Sequence, residues 1–249
     1  VDCNDPIDRK EEELLSIIPK DRKRSYEMRD IVKLVFDKDS FFEMTKFFGK
    51  GIITGFARIN GFPVAIFAND SNFYAGSMSA EGAQKTSRFI RLCDTFRIPI
   101  VSLVDEPGFL IGPDAERAGT ILHGTEAVLA TTESKVPWST IMIRKSFGVA
   151  AAAHYGPDGY VLAWPSAESG PLPLEGGVAV AFKKEIASAK NPEAKRKELE
   201  EKMAKNQSPF PRAESFSVHE IIDPRETRKY IALWAERIQS QLKASLMNR

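Results

Sequence analysis

Residues 144–156, RKSFGVAAAAHYG, stand out because two cations are followed by a run of small side chains. From Gly148 to Ala153 the chain offers a ligand little more than its backbone N–H and C=O groups. Backbone N–H groups at a strand-to-helix turn can stabilise a developing oxyanion without any acidic or basic side chain. The stretch therefore predicts a site in which the backbone itself binds the negative charge.

Glycines recur at the turns expected after three strands. They are Gly108 and Gly112 after the first, Gly148 after the second, and Gly170, Gly176 and Gly177 after the third. N–H groups exposed at such turns can form an oxyanion hole for an enolate or a ureido oxygen. For each glycine taken singly a second interpretation stays open, in which the small residue only permits close helix packing.

Side-chain catalysis is poorly indicated by the sequence. No Gly-x-Ser-x-Gly elbow, Walker loop, dinucleotide-binding glycine fingerprint or His-Glu-x-x-His helix occurs. Asp105 and Glu106 lie just before a Pro-Gly pair and could supply a general base, but acids at strand ends more often cap the following turn. The histidines stand apart along the chain, which favours structural or surface roles. They are His123, His154 and His219.

The composition is that of an ordinary globular protein of 249 residues, 43% of them hydrophobic. Lys and Arg number 35 and Asp and Glu 34, with no dense basic block, which argues against nucleic acid or a membrane as a partner. Cys3 and Cys93 are far apart, so we expect neither a disulfide framework nor a bound metal. This cysteine usage and the absence of a signal-peptide core predict a cytoplasmic protein, or one of the mitochondrial matrix if eukaryotic.

Predicted strands and helices alternate along the chain. A hairpin is expected over residues 51–70, because Asn60-Gly61 accepts the positive φ angles of a tight turn. Strands are expected over 98–109, 137–148 and 159–169, and helices over 80–97, 116–132, from about 149, and 176–189. This order predicts an α/β protein with a parallel sheet flanked by helices.

The last third of the sequence is helical by pattern. Residues 191–207 predict a solvated, highly charged helix, and the apolar side of 225–248 predicts a helix that packs on a partner surface. The chain thus divides into lead-in helices at 1–50, a core at 51–190 and a helical extension at 191–249.

Segments spread in unbroken order from about residue 5 to residue 228 carry a resemblance to a known family. They are SYEMRDIV, GFARINGFPVAI, KTSRFIRLCDTFRIPIVSLVDEPGFLIG, ILHGTEAVLA, RKSFG, WPSAE, SPFPRAE and EIIDPRETR. The chain resembles the carboxyl-terminal half of the carboxyltransferase β subunit of biotin-dependent acyl-CoA carboxylases and is similar to that of propionyl-CoA carboxylase. Residues 1–249 are therefore expected to form one carboxyltransferase domain of the carboxyl-terminal type.

The resemblance implies a crotonase-like fold, a spiral of ββα turns with carboxyl-terminal helices. It also implies that a carboxyl group moves between carboxybiotin and the α-carbon of an acyl-CoA or related thioester, with biotin on a separate carrier and no metal bound by this chain. In the family the active site lies between the amino-terminal half of one subunit and the carboxyl-terminal half of another. The implied partners are an amino-terminal carboxyltransferase half, a biotin carboxyl carrier, a biotin carboxylase and acyl-CoA, in an oligomer.

The resemblance also assigns site residues. The family's aromatic-Gly-Gly-Ala turn falls on Phe147-Gly148-Val149-Ala150, so the N–H groups of Val149 and Ala150 are the expected oxyanion donors. The residues expected to bind substrate or biotin lie at this turn and at the neighbouring ones. They are Phe147, Gly148, Ala152, Gly108, Phe109, Pro173, Gly176 and Gly177.

Three departures from the family pattern affect the expected activity. Val149 replaces a glycine, which is costly if this position needs a positive φ. Ala152 stands where propionyl-CoA enzymes typically have Asp, which leaves more apolar room for a different acyl group. Pro173 lies where the family commonly has a Met-Gly pair, and it lacks an N–H.

Two further hypotheses stay open beside the carboxyltransferase component. The same fold could serve a decarboxylase component, because the motifs do not indicate the direction of carboxyl transfer. The departures at Val149 and Pro173 would also fit a non-catalytic partner in such an assembly. In each case the amino-terminal half must come from another chain or from the rest of a longer one.

Overall fold

The computed structural model describes residues 3–247, and their strands form one sheet in the order β1-β2-β3-β4-β5-β6-β8, with β7 paired to β5. The strands are β1 (Phe42–Met44), β2 (Ile52–Ile59), β3 (Phe62–Asn69), β4 (Ile100–Glu106), β5 (Trp138–Phe147), β6 (Tyr160–Ala163), β7 (Glu168–Gly170) and β8 (Glu220–Ile221). From β3 to β8 every pairing is parallel. The predicted α/β class is confirmed.

Helices connect and cover these strands. They are α1 (Met28–Val35), α2 (Ala80–Phe96), α3 (Pro113–Arg117), α4 (Thr120–Thr132), α5 (Leu174–Ala181), α6 (Lys183–Ser188), α7 (Pro192–Gln207), α8 (Pro209–Glu214), α9 (Thr227–Arg237) and α10 (Gln239–Met247). Short 3₁₀ helices cover Glu12–Leu15, Tyr74–Gly76, Ala150–His154 and Pro224–Glu226. No described helix is long and apolar enough to cross a membrane.

The antiparallel hairpin is formed as the sequence predicts. Asn60 (φ 49°) and Gly61 (φ 77°) make the two-residue turn between β2 and β3. Asp37 holds the turn from outside, because its carboxylate accepts hydrogen bonds from both turn N–H groups, at 2.9 and 2.8 Å.

Several predicted elements are interrupted in the structure. The helix expected over 116–132 is preceded by α3 and starts only after Gly119, which has φ 73°. The helix expected from about 149 is only the 3₁₀ turn Ala150–His154, and the strand over 159–169 is split into β6 and β7. The helix over 225–248 breaks between α9 and α10, and its last residue lies outside the described range.

The sheet crosses both boundaries of the predicted three-part division. β1 lies within the lead-in segment 1–50 and pairs with β2, and β8 lies within the extension 191–249 and pairs with β6. Both flanking segments therefore supply edge strands as well as helices.

Two apolar clusters pack on opposite faces of the sheet. One joins α1 and α9 to the strands and includes Ile31 and Val32 of α1 and Ile231 and Trp234 of α9. The other packs α2 and α4 against β3 and β4 and includes Phe89 and Ala127. The apolar side of α9 thus packs on the sheet of its own chain.

Arg228, on α9, is 1% exposed and joins the beginning of the chain to its end. Its guanidinium donates to the carbonyls of Pro6 (2.7 Å), Asp5 (3.0 Å) and Val35 (3.1 Å), and to Asp37 Oδ1 (2.8 Å). Burial alone would raise the pKa of the Asp37 carboxyl, but hydrogen bonds from the turn N–H groups and from Arg228 hold it below its ordinary value.

Arg228→Ala is expected to lower the free energy of unfolding by about 3–5 kcal/mol, because it leaves a buried carboxylate without its cation. Urea denaturation measures the change. The matched control is Arg196→Ala, which breaks an exposed i,i+4 pair with Glu200 on α7 and should cost no more than about 0.5 kcal/mol. Similar losses in the two variants would contradict the structural role given to Arg228.

Candidate active site

The carboxyl ends of β4, β5 and β7 meet at one edge of the sheet, as parallel strands require. The turns that leave this edge begin at Pro107, Gly148 and Pro171. The Gly148 N–H donates to the Gly170 carbonyl at 3.1 Å, so the turns after β5 and β7 are held against each other. Two of the three predicted glycine turns are thereby in direct contact.

Asp105 sets the position of the turn after β5. Between Val104 and Glu106 β4 advances by two residues, whereas its partner β5 advances by four, from Met142 to Ser146, which is a bulge. The Asp105 carboxylate accepts three hydrogen bonds from the Arg144 side chain, at 2.8, 3.1 and 3.2 Å, and one from the Lys145 N–H at 3.0 Å. The Asp105 carboxylate therefore neutralises the Arg144 guanidinium in the bulge and gives the Lys145 N–H a hydrogen-bond acceptor.

Arg144 is a structural cation in this arrangement. Its side chain is 5% exposed, donates to the Arg24 carbonyl at 2.8 Å and lies 4.7 Å from the ring centroid of Tyr26. Although burial alone would lower the pKa of Arg144, the Asp105 carboxylate raises it above its ordinary value, so the group stays charged.

The backbone of the turn after β5 shows whether Val149 is strained by a positive φ. The positive φ falls on Gly148, at 64°, whereas Val149 has φ −71° and ψ −30°, a conformation that any residue adopts. Val149 therefore occupies the family's glycine position without backbone strain. Among residues 3–247, neither the Val149 N–H nor the Ala150 N–H has a hydrogen-bond acceptor.

Side chains beneath the turn are buried. Phe147 and Ala150 are fully buried, and a Cβ built on Gly170 would lie 3.7 Å from the Phe147 ring. The Phe147 ring therefore packs beneath the turn, and its contact with a ligand stays a prediction. Val149 is 69% exposed, and Gly148 and Ala152 are also exposed.

A cavity of about 300 Å³ opens beside this turn. Gly148 and Ala152 line it together with Gly170, Tyr155 and Arg212. The Tyr155 hydroxyl lies 2.7 Å from Ser146 Oγ, and burial raises the pKa of Tyr155 to about 12. The cavity thus combines the predicted turn with hydroxyl groups and one cation.

The other predicted site residues lie outside this cavity's lining. Gly108 has φ 133° and open space around its Cα, so its turn needs glycine for conformation. The Phe109 ring packs so closely on α4 that a Cβ on Gly124 would lie 2.4 Å from it. A Cβ built on Gly177 would lie 2.7 Å from the Met203 side chain of α7. Gly177 therefore permits close helix packing, which is the second interpretation given above for these glycines.

Pro173 and Gly176 lie at the start of α5. Pro173 precedes the first helical residue, and its carbonyl accepts the Gly177 N–H at 2.8 Å. An N–H at this position would lie outside the helix, so the proline removes none of the helix's own hydrogen bonds. Gly176 has open space around its Cα.

A buried polar network that sequence patterns did not reveal lies under the same edge. Glu106 Oε1 accepts the Gly108 N–H at 2.9 Å, and Oε2 accepts from Asn69 Nδ2 at 3.0 Å. His154 Nδ1 lies 2.8 Å from Ser102 Oγ, and His154 Nε2 lies 3.7 Å from Glu106 Oε2. The expectation that Glu106 caps the following turn is confirmed by the Gly108 contact.

Burial decides the charge of this pair. Glu106 and His154 are both fully buried, which raises the pKa of Glu106 to about 8 and lowers that of His154 to about 3. Both side chains are therefore neutral at pH 7. A signal was present in the sequence, since Asn69 and Ser102 interrupt or end otherwise apolar strands.

No cluster of three or more His, Cys, Asp or Glu side chains within the described residues is placed to hold a metal ion. Cys3 and Cys93 are free thiols, and Cys93 is buried in the apolar cluster beneath α2.

The family model of the carboxyl transferase domain matches residues 1–248. The chain belongs to the carboxyl transferase domain family. Its fold is that of the crotonase-like carboxyltransferases, as the resemblance implied.

Relatives and solved structures extend the comparison. The chain is 37% identical over 245 residues to the propionyl-CoA carboxylase carboxyltransferase subunit of Haloferax mediterranei, covering 96% of this chain and 47% of the relative. It is 36% identical to the methylmalonyl-CoA decarboxylase subunit alpha of Propionigenium modestum, covering 92% and 45%. A transcarboxylase 12S structure, a hexamer with methylmalonyl-coenzyme A and methylmalonic acid bound, superposes with a TM-score of 0.91 at 36% identity, covering 96% and 47%. The chain thus spans about half the length of these relatives.

Two neighbouring substitutions test the conformation of the turn. Gly148→Val places a branched residue at a positive φ and is expected to lower the turnover of the complete protein that contains this chain by about tenfold or more. Val149→Gly changes a residue with ordinary backbone angles and is expected to leave turnover within about twofold. A clear rise in turnover for Val149→Gly would contradict the unstrained geometry.

Proposed function

We propose that this chain is the biotin-side component of a carboxyltransferase that acts on an acyl-CoA or a related thioester. The two N–H groups of Val149 and Ala150 carry the proposal, because they leave the edge of the sheet without an acceptor among the described residues. Two such donors at a strand-to-helix turn fit an oxygen that gains negative charge.

The residues at this edge fit a biotin ureido group. Biotin, when bound, supplies the nitrogen that carries the carboxyl group. Val149 and Ala150 would hold the ureido oxygen through their N–H groups, and the exposed Gly148 leaves the approach free of a side chain. The charge on the oxygen is then stabilised by dipoles that are already oriented, so little reorganisation is needed during transfer.

The second half of the site would come from an amino-terminal carboxyltransferase half, within an oligomer. Two large apolar side chains at the same edge support this: Ile111 is 86% exposed and Val149 69% exposed. Apolar groups left in water beside a binding edge are typical of a surface that another protein covers. The further partners in this proposal are a biotin carboxyl carrier and a biotin carboxylase.

A decarboxylase component is the second candidate function. The similarity to the methylmalonyl-CoA decarboxylase subunit alpha supports it, at 36% identity over most of this chain. The same two N–H donors would serve transfer in either direction, because the ureido oxygen is the same. The third hypothesis was a non-catalytic partner, motivated in part by the valine at position 149. Because Val149 has ordinary backbone angles, it gives no support to that hypothesis.

The first experiment is to purify the protein from its native source under mild conditions, identify every co-purifying chain by intact mass and probe each for covalent biotin. A companion similar to the amino-terminal half together with a biotinylated chain supports the carboxyltransferase. The companion without biotin, combined with thioester decarboxylation by the assembly, supports the decarboxylase. An assembly that neither transfers nor releases a carboxyl group contradicts both.

Val149→Pro tests the donor directly. Proline adopts the φ of −71° found at Val149, so the variant deletes one N–H with little change in φ. Carboxyl transfer is expected to fall by about 10²–10³. Val149→Ala keeps the N–H and should retain near-normal transfer; normal activity of a folded Val149→Pro protein excludes this amide as a donor.

Ala152→Leu tests the acyl pocket. Ala152 lines the cavity beside the turn, and we propose that its small side chain admits an acyl group larger than propionyl. The variant fills this space, so KM for long acyl-CoA substrates is expected to rise more than KM for propionyl-CoA. The measurement is KM across a series of chain lengths, and an equal change for all of them contradicts the assignment.

A further inference from the structure

We infer that Glu106 and His154 act together as positioning residues, sharing a proton beneath the edge of the sheet and thereby holding the two turns of the site. The role assigned to these turns rests on the proposed function. The proton itself does not, because it is argued from the burial and the surroundings of the two side chains.

Each partner is attached to a different turn. Glu106 is the last residue of β4, and its Oε1 accepts the Gly108 N–H at 2.9 Å, which fixes the turn after that strand. His154 is the last residue of the 3₁₀ helix that begins with the donor residue Ala150. A link between Glu106 and His154 therefore joins the Gly108 turn to the helix that bears the proposed oxyanion donor.

The imidazole is held in place so that Nε2 faces the carboxyl group. The ring is stacked on Phe67, with centroids 4.2 Å apart and an interplanar angle of 2°. Nδ1 lies 2.8 Å from Ser102 Oγ, and the backbone carbonyl of His154 accepts from Thr140 Oγ1 at 2.8 Å. His154 Nε2 is buried and has no hydrogen-bond partner in the described chain, but Glu106 Oε2 lies 3.7 Å away.

The contacts also indicate where the proton belongs. Glu106 Oε1 accepts the Gly108 N–H and Oε2 accepts from Asn69 Nδ2. The carboxyl proton is placed on Oε2 because this oxygen faces His154 Nε2. If Nδ1–H donates to Ser102 Oγ, Nε2 presents a lone pair to this proton. If the Glu106 carboxyl group and His154 Nε2 move slightly closer, they form a hydrogen bond. This bond would satisfy a buried nitrogen that otherwise has no partner, and buried polar atoms are nearly always hydrogen-bonded.

The neighbouring charges do not remove the proton from the pair. Asp105 lies on the same strand, and its negative charge raises the pKa of Glu106 and so favours the proton. Arg144 from β5 pairs with this carboxylate, with Nη2 2.8 Å from Oδ2. Tyr26 stacks on Arg144, and burial together with the Asp105 charge keeps its pKa well above the ordinary value, so it stays neutral. From β3 the pair is faced by Asn69, which is uncharged and donates to Oε2.

Loss of the proton is expected to disturb the site. Burial raises the pKa of Glu106 to about 8, so above this pH an unpaired negative charge arises under the edge that must itself stabilise an oxyanion. The carboxylate also has no proton to give to Nε2, which breaks the link between the turns. Turnover should therefore fall on the alkaline side.

The test compares the complete assembly containing this chain with its Glu106→Gln form. Gln keeps an oxygen for the Gly108 N–H but cannot lose a proton. Wild-type kcat is expected to fall about tenfold per pH unit above pH 8, and Glu106→Gln kcat should stay flat over that range. Glu126→Gln is the matched control, because Glu126 belongs to an exposed Glu–His pair, 3.3 Å from His123, and this variant should keep the wild-type pH profile.

A spectroscopic measurement keeps the inference testable without activity. Infrared difference spectra between pH 7 and pH 9 should show the carbonyl band of a protonated carboxyl group that disappears at pH 9 and is absent from Glu106→Gln. A band unaffected by Glu106→Gln, or an alkaline fall in kcat that survives this variant, overturns the inference. If no form transfers carboxyl groups, the proposed function fails, and the infrared band alone decides whether Glu106 carries the proton that the inference requires.

Discussion

The buried ion pair between Asp105 and Arg144 is the constraint on which the candidate site depends. Without it, the two extra residues of β5 would place a cation and unsatisfied backbone groups inside the sheet. With it, the bulge becomes a defined bend, and the strand ends with Gly148 against Gly170. The proposed oxyanion donors then follow at a fixed place, because only Gly148 and Val149 separate the end of the strand from the 3₁₀ helix.

The strand beside the end of β5 is interrupted by a local turn. Ala163 pairs with Met142 and Glu168 pairs with Lys145, so the neighbour advances five residues while β5 advances three. Pro165 lies in the turn between them, which is closed by a hydrogen bond from the Ala167 N–H to the Trp164 carbonyl at 3.0 Å. The division of the run 159–169 into β6 and β7 therefore follows a signal in the sequence itself, because proline interrupts a strand.

Local signals were enough for much of the fold. The Asn60-Gly61 turn, the apolar strands and the order of elements predict the hairpin and the parallel sheet, because each depends on nearby residues. The bulge, the short 3₁₀ helix and the Glu106–His154 contact could not be predicted in this way, because they depend on side chains brought together by the sheet. The resemblance located the turn correctly in the chain, but only the backbone angles show that Gly148, and not Val149, takes the positive φ.

The close packing of Phe109 on Gly124 has an evolutionary consequence. Any side chain at position 124 would collide with the ring, and a smaller residue at 109 would leave a void beside α4. Substitutions at the two positions are therefore coupled: a change at either is tolerated only with a compensating change at the other. Across the relatives of this chain, a bulky residue at 124 should therefore occur together with a small one at 109.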